Sequence, residues 1–203
     1  FNFYCQYLSF NSFNNSLSIS NILVKTNSLY PLLTRDIILY NINKDEKFFG
    51  VDIEKFQYSV ELREKKRKEF SLNSEIKLIG HVGRFNQQKN HMFLLEVFKD
   101  IHVLDSNTRL LLVGNGTLED QIRQKVHELG INDSVIFAGV RSDVPALLSA
   151  MDVFVMPSFF EGMPNTVIEA QATGLPCVIA DTITKEADIT GLVEYLPLGD
   201  ANK

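Results

Sequence analysis

Two cationic side chains lie on one short stretch in the middle of the chain. Residues 83–91 read Gly-Arg-Phe-Asn-Gln-Gln-Lys-Asn-His and follow a strongly apolar run. Arg84 presents a planar fork to phosphate oxygens and Lys89 presents a compact charge, so the two together can neutralise a diphosphate. Two cations that only face solvent would look the same in the sequence, so this stretch by itself leaves both interpretations open.

Two carboxylates flank the start of a predicted helix further along the chain. Glu161 precedes the helix and Glu169 lies inside it. A carboxylate can accept two hydrogen bonds from a vicinal diol, which a ribose or a sugar ring carries. Between the two acids, the N–H groups of Asn165 and Thr166 lie in the first helical turn, where the helix dipole favours an anion. Taken alone, Glu169 is also explained as an ordinary helix residue.

A glycine-rich turn, Gly114-Asn115-Gly116, follows a second apolar run. Small residues at such a turn let a ligand approach the backbone. The turn differs from a dinucleotide-binding fingerprint, because Glu119 stands where the third glycine belongs. It therefore indicates either a ligand contact or a simple tight turn, and it does not favour a nicotinamide cofactor.

The elements that must position these residues alternate in type from residue 76 onward. Short apolar runs rich in β-branched residues alternate with amphipathic stretches, which is the pattern of repeated strand and helix units. We predict an α/β fold, a Rossmann-like parallel sheet with helices on both faces. Ligands bind such a sheet outside the carboxyl ends of its strands, where the residues above lie. The predicted strands are Ile76–Val82, Arg109–Val113, Val135–Phe137, Val153–Met156, Cys177–Ala180 and Val193–Leu196.

Start and stop residues predict the helices, and a charged run predicts one more. The run Glu61–Glu69 is typical of a solvated helix face, with an anionic partner or a membrane surface as the alternative. Capping and breaking residues predict three further helices: one from the capping-box pair Thr117 and Asp120 to about Leu129 with Gly130 as its stop, one from Asp143, and one from near Pro164 to Gly174.

Composition and charge narrow the class of protein. The 203 residues are 45% apolar and 22% charged with a net charge of −5, so we expect a globular protein without a nucleic-acid partner. Cys5, Cys177 and the four histidines have no metal-ligand spacing, so we expect no metal site. The absence of a long apolar run and of a signal-peptide pattern predicts a cytoplasmic location.

Taken together, these segments resemble family 4 of the retaining glycosyltransferases. Members of that family have the GT-B fold, in which two Rossmann-like domains enclose the active site, so the chain would be the C-terminal, donor-binding half. The resemblance begins near residue 50 and extends to the end of the chain. It rests on Gly83-Arg84 with Lys89, Gly114-Asn115-Gly116, Val135-Ile136-Phe137-Ala138-Gly139, and Glu161 and Glu169 with seven residues between them.

The resemblance implies a role for each matching residue. Arg84 and Lys89 would hold the donor diphosphate and stabilise the departing nucleoside diphosphate. Glu161, the third catalytic residue, would face the transferred sugar, and Glu169 would hold the ribose hydroxyls. Further donor contacts are implied at the first-turn N–H groups of Asn165 and Thr166 for phosphate, at the backbone around Val140 for the base, and at Gly83, Gly114, Asn115 and Gly116.

The same resemblance implies the reaction and its partners. A sugar would pass from a nucleotide-sugar, UDP-linked in the commonest case, to an acceptor hydroxyl with retention at the anomeric carbon and without a metal or other cofactor. The acceptor would be a glycan or a lipid-linked sugar bound by an N-terminal domain, in cell-surface polysaccharide synthesis. The parent protein would act in the cytoplasm at the inner face of the membrane, with peripheral membrane association.

Three regions are predicted along the chain. Residues 1–48 form an irregular N-terminal segment, a remnant of or substitute for the acceptor domain, residues 49–72 a linker and basic helix, and residues 73–203 the nucleotide-sugar-binding Rossmann-like domain. The linker departs from the family pattern, because Phe49 stands where the family has Asn. The chain begins with Phe and stops soon after a predicted strand, so we expect a piece truncated at both ends that does not transfer sugar alone.

Two other functions fit the same residues. The nucleotide-sugar 2-epimerases share the architecture, and a decayed relative would be a non-catalytic nucleotide-binding module. An epimerase needs no acceptor, so analysis of the reaction products distinguishes it from a transferase. The presence of both cations and both glutamates argues against decay.

Overall fold

The fold is built on one parallel sheet. The computed structural model describes residues 51, 52 and 54–199, and the predictions made for residues 1–48 and 200–203 lie outside the described residues. The strands are β1 Lys77–Val82, β2 Thr108–Val113, β3 Val135–Gly139, β4 Val153–Met156, β5 Cys177–Ala180 and β6 Val193–Leu196. Their order in the sheet is β3-β2-β1-β4-β5-β6, and every neighbouring pair is parallel.

The predicted strands and the Rossmann-like class are confirmed. Three strands, β4, β5 and β6, have the predicted bounds, and the other three differ by one or two residues at one end. Every residue of β4 and β5 is buried, because helices cover both faces of the sheet and leave no solvent-facing side. That double cover explains why these runs are apolar throughout and do not alternate.

Helices lie on both faces of the sheet, and a separate apolar cluster lies between the sheet and the helices on each face. The helices are α1 Val60–Glu69, α2 His91–Leu104, α3 Glu119–Glu128, α4 Val144–Ala150 and α5 Asn165–Ala172. One cluster contains Leu95 of α2 and Ile122 of α3, and the other contains Leu147 of α4 and Val167 of α5. Within the described ranges, no helix is both long enough and apolar enough to cross a membrane.

The prediction of a capping box at Thr117 is wrong. Helix α3 begins at Glu119, its N-cap is Leu118, and no side chain caps it. The N–H group of Leu118 donates to the carbonyl of Phe85 at 3.0 Å, so the neighbouring loop fixes the entry into the helix. A tertiary contact thus replaces the local cap that the sequence indicates.

Glycines close two helices at the predicted positions. Gly130 and Gly174 have φ angles of 66° and 76°, the left-handed conformation that ends helices α3 and α5. Pro164, near which α5 was predicted to begin, is its N-cap.

The interpretation of residues 61–69 as a plain solvated helix face is wrong. Lys66 and Arg67 of α1 are only 7% and 6% exposed. Arg67 bonds Asp152 at 3.2 Å, and Lys66 bonds Asp143 at 2.5 Å. Burial lowers the pKa of Arg67, whereas the bonds to Asp143 and Glu69 raise the pKa of Lys66. Through these ion pairs, the basic residues hold α1 against the rest of the fold.

Candidate functional site

The loops that carry polar residues meet at the carboxyl ends of the strands. The strand order reverses between β1 and β4, and the crevice at such a reversal is where ligands bind in doubly wound sheets. Gln88 joins the two loops: its carbonyl accepts from the N–H of Phe159 at 2.9 Å, and its side-chain Nε2 donates to the carbonyl of Phe160 at 2.9 Å. The loops after β1 and β4 thus form one continuous surface.

Lys89 and Glu161 form an ion pair across this surface. The distance from Nζ to Oε1 is 2.7 Å, and the side chains are 15% and 10% exposed. Lys89 ends a short 3-10 helix, which Asn86 caps by accepting a hydrogen bond from the N–H of Lys89 at 3.2 Å. The next residue, Asn90, has a φ of 55° and turns the chain into α2. The local turn therefore aims Lys89 at the loop after β4.

Two neutral histidines lie beside this pair. Nδ1 of His81 is 2.8 Å from the carbonyl oxygen of Val155, which only accepts, so Nδ1 carries the proton and Nε2 keeps a lone pair. The His81 and His91 rings meet edge to face at 4.7 Å. Burial lowers the pKa of His81 to about 4 and that of His91 to about 3, and the charge of Lys89 also lowers both. Gly83 leaves room for this packing, since a Cβ there would lie 3.0 Å from Nε2 of His81.

Gly114 and Gly116 are required by loop packing. A Cβ on Gly114 would lie 2.1 Å from the carbonyl oxygen of Gly83, and one on Gly116 would lie 2.3 Å from that of Phe85. The N–H of Gly114 donates to the carbonyl of Gly139 at 2.8 Å. The loops after β1, β2 and β3 therefore touch in a row, and the tight-turn interpretation accounts for both glycines. A contact between this turn and a ligand stays a prediction.

Arg84, Asn115 and Val140 are exposed on these neighbouring loops. The guanidinium of Arg84 has no ion pair or hydrogen bond within the part of the chain that the structure describes. Val140, directly after β3, is 72% exposed. Since β3 is the edge strand, Val140 lies furthest along the row from the Lys89–Glu161 pair. The exposed guanidinium of Arg84 is free to bind an anion, whereas a contact between the backbone around Val140 and a ligand stays a prediction.

The start of α5 presents free backbone donors and a carboxylate. Among the described residues, the N–H groups of Asn165 and Thr166 have no hydrogen-bond partner. The carboxylate of Glu169 is half-buried and likewise has no hydrogen bond or ion pair in residues 54–199. Burial raises its pKa, and the charge of Lys55 opposes that effect. A half-buried acid without a partner is typical of a group that receives a ligand.

The structure thus brings most of the predicted residues to one edge and adds others. No binding role was predicted for His81, for His91 or for Lys55, whose charge lowers the pKa of Glu169. Ser158 was also missed, and its Oγ is buried without a partner among the described residues. The sequence marks Ser158 only by its place directly after an apolar run. In the same described part of the chain, no three His, Cys, Asp or Glu side chains are grouped to hold a metal ion.

Comparisons with known proteins agree with this architecture. Residues 62–191, more than half of the chain, match the family described as glycosyl transferases group 1. The chain is 36% identical over 152 residues to the putative glycosyltransferase EpsF of Bacillus subtilis, an alignment that covers 74% of this chain and 40% of that protein. It is 34% identical over 137 residues to the UDP-Gal:α-D-GlcNAc-diphosphoundecaprenol α-1,3-galactosyltransferase of Escherichia coli, covering 65% and 35% of the two chains.

A solved structure shows the same fold. The crystal structure of Anabaena HepE in complex with UDP-glucose matches with a TM-score of 0.60 and 25% identity, covering 66% of this chain and 37% of that chain. The chain spans about two fifths or less of the length of each of these three relatives. The family match and the shared parallel sheet agree with each other, and the chain belongs to the glycosyl transferases group 1 family.

Proposed function

We propose that this chain forms the nucleotide-sugar-binding part of a glycosyltransferase. The observation that carries the proposal is the Lys89–Glu161 ion pair between the loops after β1 and β4, where the strand order reverses. Arg84 lies on the same loop as Lys89, and Glu169 lies in the helix that follows Glu161. Two cations suit a diphosphate, and two carboxylates suit the hydroxyl groups on either side of it. The match to HepE, whose structure contains UDP-glucose, supports a UDP-linked donor.

Each residue then has a task along an extended donor. Arg84 and Lys89 bind the diphosphate and stabilise the charge that develops on it when the bond to the sugar breaks. The N–H groups of Asn165 and Thr166 donate to phosphate oxygens. Glu169 accepts hydrogen bonds from the ribose diol, which explains a half-buried carboxylate without a protein partner.

The ends of the donor lie at the ends of the row of loops. Glu161 accepts hydrogen bonds from the hydroxyls of the transferred sugar, and the backbone around Val140 contacts the base. Gly83, Gly114, Asn115 and Gly116 form the floor between these ends, with Gly114 and Gly116 acting through the close packing of the loops.

The reaction is transfer of the sugar to an acceptor hydroxyl. The acceptor oxygen forms the new bond at the anomeric carbon, the bond to the diphosphate breaks, and the acceptor proton leaves with the nucleoside diphosphate. Retention at the anomeric carbon and independence of metal ions rest on the resemblance to family 4. The E. coli relative is named for a diphosphoundecaprenol-linked acceptor, which supports a lipid-linked acceptor. A location at the inner face of the membrane and a role in surface polysaccharide synthesis rest on the resemblance to family 4.

The 203-residue chain is expected to bind nucleotide without transferring sugar. The acceptor is assigned to a second domain, and closure of two domains aligns donor with acceptor and excludes water. Incubation of the purified chain with UDP-sugars and lipid-linked acceptors tests this directly, and any transferred sugar contradicts it.

Calorimetric titration with UDP, GDP and ADP tests the donor site and identifies its base. Arg84→Ala and Glu169→Ala should each weaken the nucleotide that binds by about 1 to 3 kcal/mol, because each removes a charged hydrogen bond. Matched controls are Lys65→Ala and Glu64→Ala, which remove the same types of charge from exposed positions on α1. Folded Arg84 and Glu169 variants with unchanged affinity would contradict the assignment.

A further inference from the structure

We propose that Glu161 makes the site distinguish an intact nucleotide-sugar from the nucleoside diphosphate that remains after transfer. This inference rests on the proposed function. Its structural basis is that one carboxylate serves two partners in turn. In the structure the carboxylate of Glu161 forms an ion pair with Lys89 at 2.7 Å. In the donor complex the same carboxylate accepts hydrogen bonds from hydroxyl groups of the sugar.

The ion pair can be exchanged without rearrangement of the backbone. Gln88 holds the loops after β1 and β4 together through two hydrogen bonds of 2.9 Å each. Asn86 fixes the turn from which Lys89 projects. A diphosphate that reaches Lys89 therefore competes with Glu161 for the ammonium group, while the two loops stay in place.

Among the described residues, Lys89 is the only cation that forms an ion pair with Glu161. The charges of Lys89 and Glu161 both act on the pKa of His81, and that of Lys89 also acts on the pKa of His91, but burial keeps both histidines neutral. Arg84, on the same loop as Lys89, is exposed and forms no ion pair with Glu161. A carboxylate that is only 10% exposed and loses its cation is strongly disfavoured unless hydrogen-bond donors replace it.

The two ligands differ in whether they offer Glu161 hydrogen-bond donors in place of Lys89. The diphosphate of a nucleotide-sugar binds Lys89, and the hydroxyls of its sugar donate hydrogen bonds to the freed carboxylate. A nucleoside diphosphate also binds Lys89, but it has no sugar hydroxyls to donate hydrogen bonds to Glu161. The carboxylate is then left buried beside an anion without a partner. The charge of Glu161 therefore weakens the binding of the product and leaves the binding of the donor nearly unchanged, which favours product release after transfer.

Parallel titrations of a nucleotide and its sugar conjugate test this inference on the 203-residue chain. The probes are UDP with UDP-glucose, GDP with GDP-mannose, and ADP with ADP-glucose. Glu161→Gln keeps the size of the side chain and its ability to accept a hydrogen bond, but removes the charge. We expect Glu161→Gln to lower the Kd of the nucleoside diphosphate about tenfold. The ratio of this Kd to that of the sugar conjugate should fall by a similar factor.

Two further variants separate charge at Glu161 from general effects. Glu169→Gln is the matched control, because the ribose that it contacts is present in both ligands, so both should weaken equally and their ratio should not change. If Glu161→Gln does not fold, Glu161→Asp takes its place. Its carboxylate is one methylene further from Lys89, so a smaller change in the same direction is expected.

The outcomes separate this inference from the proposed function. Nucleoside diphosphate binding that is tighter to Glu161→Gln, without an equal gain for the sugar conjugate, supports the inference. An equal gain for both ligands contradicts it. If the unaltered chain binds a nucleoside diphosphate and Glu161→Gln binds it equally or more weakly, the donor site stands and the inference is wrong. If neither chain binds any of the six ligands, the proposed donor site is wrong and the inference fails with it.

Discussion

The most consequential side chains of this protein are the charged pair Lys89 and Glu161 and the neutral histidines beside it. A positive charge on His81 or His91 would compete with Lys89 for the same carboxylate. Burial prevents this by lowering the pKa of His81 to about 4 and that of His91 to about 3. The local charge is therefore constant across the physiological pH range, and Lys89 is left as the cation of this buried layer.

The histidines make the stability of the protein depend on pH. An unfolded histidine takes up a proton near pH 6.5, well above the pKa of either residue in the folded protein. Between these values the unfolded state binds more protons, so the free energy of unfolding falls as the pH is lowered from about 6.5 towards 4. Between pH 7 and pH 5 each histidine should account for a loss of about 2 kcal/mol.

Replacement of His91 by leucine tests this dependence. Both ring nitrogens of His91 lack a partner among the described residues, so His91→Leu should change the unfolding free energy little at pH 7. At pH 5 the variant should lose about 2 kcal/mol less than the unaltered chain, measured by urea unfolding at both pH values. Leu95→Ala, in the same helix, should lower both values equally. A pH dependence that His91→Leu does not alter would contradict the prediction.

At this scale the sequence predicts residue types better than their partners. The charge and position of Arg84, Lys89, Glu161 and Glu169 singled them out, and the resemblance to family 4 implied their roles. The bond between Lys89 and Glu161 was not predicted, because it joins residues 72 apart in sequence and depends on β1 and β4 being neighbours. Burial of Ser158 and both histidines likewise depends on contacts that no local pattern contains.

At the scale of elements, the loops after β1, β2 and β3 support one another. The carbonyl of Gly83 occupies the space where a side chain on Gly114 would begin, and that of Phe85 does the same for Gly116. The sequence indicated small residues at this turn but could not show what approaches them. The nearest backbone belongs to the protein itself, so the glycines first of all stabilise the shape of the crevice.

Substitution of Gly114 measures the strength of this packing. Gly114 has a φ of 132° and would place a Cβ 2.1 Å from a backbone oxygen, so Gly114→Ala should lower the unfolding free energy by about 3 kcal/mol or more. The control is Gly130→Ala, which also has a positive φ but no atom within 4 Å of the added Cβ. It should cost only about 1 to 2 kcal/mol. Equal losses in urea unfolding would show that the loop contact adds nothing to the strain of the backbone.

Elements were predicted well from continuous apolar runs and poorly from local capping and charge patterns. Short apolar runs predicted all six strands, and the four inner strands are largely buried because helices cover both faces of the sheet. The edge strands β3 and β6 are only partly buried. The start of α3 was wrong because a bond from Leu118 to the loop after β1 overrides the capping residues. The exposed face of α1 was wrong because Asp143 and Asp152, far along the chain, draw Lys66 and Arg67 into the structure.

At the scale of the molecule, the sheet carries two apolar clusters that share no side chains among the described residues. Leu95 of α2 belongs to the cluster on one face and Leu147 of α4 to that on the other, and both are fully buried. The crevice lies at the edge of this sheet, so its geometry depends on both clusters. Because both clusters pack on the same strands, neither can lose its structure while the other keeps it, and we expect a single cooperative unfolding transition.

Leu95→Ala and Leu147→Ala test this cooperativity. Each substitution should lower the unfolding free energy by about 2 to 5 kcal/mol, because each removes a fully buried side chain and leaves a cavity. Each should also shift the whole urea transition, followed by tyrosine fluorescence and by circular dichroism. The double variant should lose the sum of the two within about 0.5 kcal/mol, since the sites lie on opposite faces of the sheet. Val103→Ala, 69% exposed on α2, is the control and should change little. Two separate transitions, one moved by each leucine, would show instead that the two faces fold independently and that the crevice can open while half of the structure persists.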